Sequence, residues 1–213
     1  MIVKPVDKVS GSLIDRKLRW GGILENPMVS AIQRNCLDYG RVSGLEKALK
    51  AYDYKSVLDV GCGLGECSML SKGFYCGLDN SLRRVDFAAR KYQQSHFFVA
   101  DALRLPVEES SFDLVMLIDT SHHLSDQGFY QVLLELKRVS KKYIVISDPV
   151  VTSDQSPLSA FFYRLDRGAC FRQAEEMKRN FARVEGVRLK EAVSFKTFPG
   201  LYVHTAFILE KGY

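Results

Sequence analysis

Disulfides are the first thing this sequence withholds. Its five cysteines (Cys36, Cys62, Cys67, Cys76 and Cys170) are an odd number with no framework spacing, so reduced thiols are expected. Cys62 and Cys67 lie close together but lack a second pair or flanking histidines, so no metal site is expected. Long apolar runs are missing too. The longest, Leu114 to Ile118, is far short of the ~20 residues that span a bilayer. The start, Met1 to Ser10, has no apolar core of the kind a secretory leader needs. These absences exclude a membrane span and lead us to expect a cytoplasmic protein. A dense basic face is also absent. The net charge is +5, and the first 55 residues hold ten basic against six acidic side chains. That is thin for a phosphate-binding surface, so nucleic acid is not the expected partner.

What is present is an ordinary globular composition. The chain has 213 residues, 46% of them apolar, which suits one domain with a small appended arm. Up to about residue 54 it reads as an arm and two helices, one opening at Asn26-Pro27 and one spanning Ser43 to Lys50. This segment, 1–54, is expected to act as a lid or cap. From residue 55 to 213 a second pattern takes over. Short β-branched runs alternate with helical ones: strand Ser56–Val60, helix Glu66–Lys72, strand Phe74–Leu78, helix Leu82–Gln93 and strand His96–Ala100. Then come strand Phe112–Ile118, a helix capped by Asp126 and running through Val139, and strand Tyr143–Ser147. Phe112–Ile118 is the most apolar strand and should be central. Alternation of this kind predicts a doubly wound α/β fold with a mainly parallel sheet. It stops after Pro149. Residues 150–183 read as a helical insertion, Ser156–Arg167 and Phe171–Arg183, before two last strands, Val187–Phe195 and Tyr202–Leu209.

The chemistry concentrates at Val57-Leu58-Asp59-Val60-Gly61-Cys62-Gly63-Leu64-Gly65-Glu66, a strand entering a Gly-x-Gly-x-Gly turn. Glycines without a Cβ let the backbone turn sharply and approach a ligand. A following helix offers N–H groups at its positive end. Ligands of open α/β sheets lie at the carboxyl ends of the strands. The third glycine comes one residue early for a dinucleotide fingerprint, and no Lys-Ser/Thr follows for a P-loop. Asp59, two residues before the first glycine, suits a ligand ammonium better than a pyrophosphate.

Asp59 to Gly65 resembles motif I of the class I S-adenosylmethionine (SAM) dependent methyltransferases. Three further segments resemble that family in register: Gly77-Leu78-Asp79-Asn80-Ser81, Phe98 to Leu103 around Asp101-Ala102, and Phe112-Asp113-Leu114-Val115 through Asp119-Thr120-Ser121-His122-His123-Leu124. The resemblance implies a Rossmann-like sheet of seven strands with the last antiparallel, and helices on both faces. It implies S-adenosyl-L-methionine as cofactor, held by Asp59, Gly61, Cys62, Gly63, Gly65, Asp79, Asn80, Ser81, Asp101, Ala102 and Asp119. Asp79 matches the family's ribose residue, and Asp101 the acid beside the adenine amino group. Trp20 to Pro27 and Leu165-Asp166-Arg167-Gly168 resemble pieces of a subgroup of small bacterial methyltransferases of mostly unassigned substrate.

Methyl transfer to a hydroxyl benefits from a general base, and neutral imidazole suits that role near pH 7. His122, His123 and Asp148 are the catalytic candidates, with His122 preferred as base and His123 as structural. Asp119 can orient acceptor or methionine, or simply cap a loop. Arg164, Arg167 and Arg172 can clamp an anionic acceptor, or pair with Asp166, Glu175 or Glu176. Phe161, Phe162 and Tyr163 can line an acceptor pocket or form core. His96 and His204, both within strands, read as structural. The leading expectation is transfer to O or N of a small molecule. The alternatives are an RNA or protein methyltransferase, a SAM-binding protein without turnover, and a nicotinamide enzyme. A homodimer stays open.

Overall fold

The structure, a computed structural model, describes residues 40–153, 155–165, 170–197, 200 and 202–212. The expected helix at Asn26-Pro27 and the Trp20–Pro27 segment lie outside them. Seven strands form one sheet: β1 (Ser56–Val60), β2 (Phe74–Asp79), β3 (His96–Val99), β4 (Phe112–Ile118), β5 (Ser140–Pro149), β6 (Val187–Lys196) and β7 (Val203–Lys211). Their order is β3-β2-β1-β4-β5-β7-β6. The first five run parallel, and β7 is antiparallel to both β5 and β6. The chain order reverses between β1 and β4, which is where a doubly wound sheet opens its ligand crevice.

Among the described residues five helices flank the sheet: α1 (Arg41–Leu49), α2 (Leu82–Lys91), α3 (Asp126–Val139), α4 (Pro157–Leu165) and α5 (Ala174–Ala182). β4 sits in the middle and buries nearly every side chain, as its apolar run predicts. Side chains alternate across a strand, so each strand feeds two cores. On one face Leu45 and Leu49 of α1 pack with Leu114, Met116, Val145 and Ile208. On the other, Phe129, Leu133 and Leu136 of α3 and Phe181 of α5 pack with Leu117, Ile146 and Phe207. α1 therefore shares the core of the sheet and is not set apart from it.

Three local readings need correction. The segment after the glycine turn is a short 3-10 helix, Glu66–Leu70, and not an α-helix to Lys72. Ser71 turns the chain into extended geometry, and Gly73 must stay bare because a Cβ there would press on the Lys55 carbonyl. The cap of α3 is Ser125, whose hydroxyl accepts from the Gly128 N–H, with Asp126 in the first turn instead. α5 opens at Ala174, later than Phe171, because Gln173 and Glu176 form a reciprocal capping box.

Candidate active site

The glycine turn is bound to the end of β2. Gly61 and Cys62 N–H groups both donate to the Leu78 carbonyl, at 2.7 and 2.9 Å. Gly63 N–H donates to Asp79 Oδ2 at 3.0 Å, and Ser81 N–H to Asp79 Oδ1 at 2.9 Å. Gly61 has φ +74°, and a Cβ on it would run into the Thr120 side chain. Gly65 serves packing: a Cβ there would lie 2.8 Å from the Phe97 ring and 2.9 Å from Ala88. Cys62 turns its thiol inward, where burial and the carboxylates of Asp59 and Asp79 push its pKa up. Burial and Asp59 likewise push the Cys76 thiol up to about 12. These thiols are packing groups.

The sequence-predicted cofactor residues gather along one edge. Each Asp79 oxygen accepts one backbone N–H, and a carboxylate oxygen has capacity for two acceptor bonds. That chemistry suits a pair of vicinal hydroxyls. Asn80 is exposed beside it, and Asp101, also exposed, accepts from Leu103 N–H at 2.9 Å. Leu82 and Leu103 are exposed apolar side chains just after Ser81 and Ala102, surfaces for a flat base. Ala102 itself leans on the core. The acceptor carboxylates and the bare apolar pair fit an adenosine-bearing cofactor.

Asp59 is almost completely buried and accepts from the Tyr75 hydroxyl at 2.6 Å. It lines a cleft with Arg41, Gly61, Cys62, Glu66, Cys67 and Ile118. Arg41 was invisible as a site residue in the sequence. Its side chain is 4% exposed, and it bonds Glu66 Oε2 at 2.7 Å and, through Nη1, Asp119 Oδ2. Asp119 closes β4 with φ +49°, an uncommon conformation that aspartate tolerates better than most residues. Its other oxygen meets His204 Nε2 at 3.1 Å. His204, read as structural from its place in a strand, is thus joined to the crevice.

A second histidine–carboxylate pair stands on the opposite face. Residues alternate along β5, so Asp148 shares the face of Ile144 and Ile146. Its Oδ1 pairs with His122 Nδ1, and its Oδ2 accepts from Ser121 N–H at 3.0 Å. Phe171 stacks on the His122 ring at 4.9 Å and 8°. His122 is buried and His123 exposed, the reverse of what a base and a structural histidine suggest by surface alone. Only His122 is held by Asp148.

Among the described residues Arg172 does not pair with Glu175 or Glu176, and Asp166 lies outside them. It donates to the Ser121 and Leu124 carbonyls, both at 2.9 Å, and to Asp126 at 2.7 Å. Its guanidinium also covers the Phe129 ring. Arginine here braces the loop that carries His122. Tyr163 packs with Phe171 and Tyr202, its hydroxyl on the Val150 carbonyl at 2.9 Å, while Phe161 is exposed on the helix surface. Arg167 lies outside the described residues. His96, on the far edge, stacks on Phe74. Among the described residues no group of acids, histidines and cysteines could hold a metal ion, and no helix is long and apolar enough to cross a membrane.

Residues 57–143 match the methyltransferase domain family. The chain is similar to O-methyltransferase cnsE of Penicillium expansum, 35% identical over 106 residues, 44% of this chain and 38% of that protein. It is also similar to the chloroplastic tocopherol O-methyltransferase of Arabidopsis thaliana, 30% identical over 118 residues, 50% of this chain and 34% of that one. The matched region thus spans little more than a third of either relative. Among solved structures it resembles the magnesium protoporphyrin IX methyltransferase of Synechocystis PCC 6803 with bound S-adenosylhomocysteine. That likeness has a TM-score of 0.64 at 16% identity and covers 93% of this chain and 90% of that one. Sheet order and glycine turn agree with that match: the chain is similar to the methyltransferase domain family over residues 57–143 and shares the fold of a solved methyltransferase over most of its length.

Proposed function

We propose that this protein transfers a methyl group from S-adenosyl-L-methionine to an oxygen or nitrogen of a small molecule, with His122 as general base and Asp148 as its positioning residue. The observation that carries the reading is the His122–Asp148 pair at the carboxyl ends of β4 and β5. Asp59, Asp79 and Asp101 line the cofactor side of the same sheet edge, on strands β1 to β3 and the turns that follow them. When bound, the cofactor supplies an electrophilic methyl on a sulfonium. The chain supplies position and a place for the acceptor's proton. With Nδ1 donating to Asp148, the neutral ring carries its basic lone pair on Nε2. Asp148 fixes that tautomer and steadies the imidazolium once the proton arrives. Arg172 and Phe171 hold the loop and the ring still. In this reading segment 1–54 covers this edge as well as lending α1 to the core, the protein works in the cytoplasm, and a homodimer is compatible with it.

The test is transfer of labelled methyl from SAM into fractionated small-molecule extracts, compared with His122→Asn. We expect turnover to fall about 100-fold or more, with binding of S-adenosylhomocysteine unchanged. Equal turnover in the variant removes His122 from the mechanism.

A further inference from the structure

The two edges of the sheet are finished in different ways. β6 is bulged between Leu189 and Glu191 and exposes Arg188, Lys190, Glu191 and Lys196. Charges and bulges of this kind keep a strand edge from pairing with another chain. β3, at the opposite end of the order, has neither. It reads His96-Phe97-Phe98-Val99, with no acid, lysine, arginine or proline. The Ala100 N–H donates to the Asp79 carbonyl at 3.0 Å. Backbone groups alternate in direction along a strand, so those of Phe97 and Val99 point away from β2 to the open side. The side chains are bare as well. Phe74, His96 and Phe98 share one face of the sheet, where Phe74 stacks on His96 at 4.9 Å and Phe98 is 40% exposed. The cause is local: residues 100–111 cross from β3 to β4 without forming a helix, and leave these rings uncovered. On the other face α2 packs against β3 and carries Arg83, Arg84, Arg90 and Lys91 against one acid, Asp86.

An occupant of this edge meets three things at once: outward backbone groups, bare rings on one face and a basic helix on the other. A second copy fails on charge, because a two-fold axis across β3 sets two basic α2 helices against each other. A strand of four residues offers few backbone bonds, so side chains must supply part of the hold. We infer that β3 is a docking edge for a partner polypeptide that adds one extended strand to the sheet, apolar and acidic at alternate positions. Strand addition of this kind takes affinity from main-chain bonds and specificity from alternate side chains. The partner's backbone pairs with Phe97 and Val99. Its apolar row lies over His96 and Phe98, and its acidic row turns toward α2. Arg84 and Arg90 already stand beside Asp79 and Asp86, so Arg83 and Lys91 are the cations that the acidic row meets.

The experiment pans a displayed library of random peptides against the full chain, then titrates the enriched peptides by fluorescence anisotropy. We expect sequences that alternate apolar with acidic residues. Val99→Pro deletes one outward N–H and spares the ladder to β2, so it should weaken their binding about tenfold or more. Val99→Ala keeps that N–H and should retain most of the affinity. Phe98→Lys and the double variant Arg83→Glu/Lys91→Glu should each cause a loss like that of Val99→Pro. All four positions are exposed, so each variant should melt at the wild-type temperature. No enrichment, enriched peptides without acidic residues, or binding undiminished in Val99→Pro and Phe98→Lys overturns the assignment. Self-association of the wild type that Phe98→Lys dissolves gives the edge to a second copy and also overturns it. So does adsorption to phosphatidylserine vesicles that Phe98→Lys abolishes when no peptide is enriched, which gives the edge to a lipid surface.

Discussion

Single atoms decide much of this site. Gly61 has φ +74°, and the Thr120 side chain occupies the space its Cβ would need. Gly61→Ala therefore meets two penalties: a left-handed conformation costing about 1–2 kcal/mol and a clash with Thr120. We expect it to lower stability by more than the first term alone and to weaken S-adenosylhomocysteine binding. Removing the obstacle in Gly61→Ala/Thr120→Ala should restore part of the stability in a denaturant titration, and no recovery would show that Thr120 is not the obstacle. Residues of this kind were legible in the sequence because their partners are close in the chain or repeat a known spacing. Asp79 bonds the Gly63 amide 16 residues away, across one strand–turn–strand unit. Arg41, His204 and Arg172 were illegible for the opposite reason. Arg41 and His204 meet at Asp119 across 78 and 85 residues, and only the strand order brings them there. No periodicity in one segment reports an acceptor supplied by another.

At the scale of elements, ties between neighbours matter more than propensity. α3 is fixed to the loop before β4 through Glu135 and Arg138. Glu135 accepts from Leu105 N–H at 2.7 Å, and Arg138 donates to the Val107 and Leu105 carbonyls at 2.7 and 3.0 Å. The Arg138 hydrogen bonds hold the Glu135 carboxyl below its ordinary range, against the effect of partial burial. A depressed carboxyl contributes stability above its unfolded pKa of about 4.3 and loses it as pH falls through the lower folded value. Glu135→Gln should thus cost about 1 kcal/mol at pH 7, and wild type and variant should converge below about pH 4. A gap that persists in acid would place the effect in packing. Alternation of strand and helix was read correctly because it depends on local apolar patterning. The 3-10 helix at Glu66–Leu70 escaped that reading, since five residues carry too little period to tell one helix type from another.

For the molecule as a whole, a ligand that binds only the folded state stabilises it by mass action. At a free concentration of about 100 times its Kd, S-adenosylhomocysteine should add about 2.7 kcal/mol. For a chain of this size that is roughly 5–10 °C in Tm. Asp79→Ala should abolish the rise, and a rise that survives it would place the ligand elsewhere. The sheet itself has one further consequence. β7 lies between β5 and β6 although it follows both in the chain. Until residues 203–211 leave the ribosome, β5 stands as an open edge bearing Tyr143, Ile144, Val145 and Ile146. An unpaired apolar edge is a template for intermolecular pairing. The nascent protein is therefore most prone to aggregate in the interval between synthesis of β5 and synthesis of β7, when a chaperone has the most to shield.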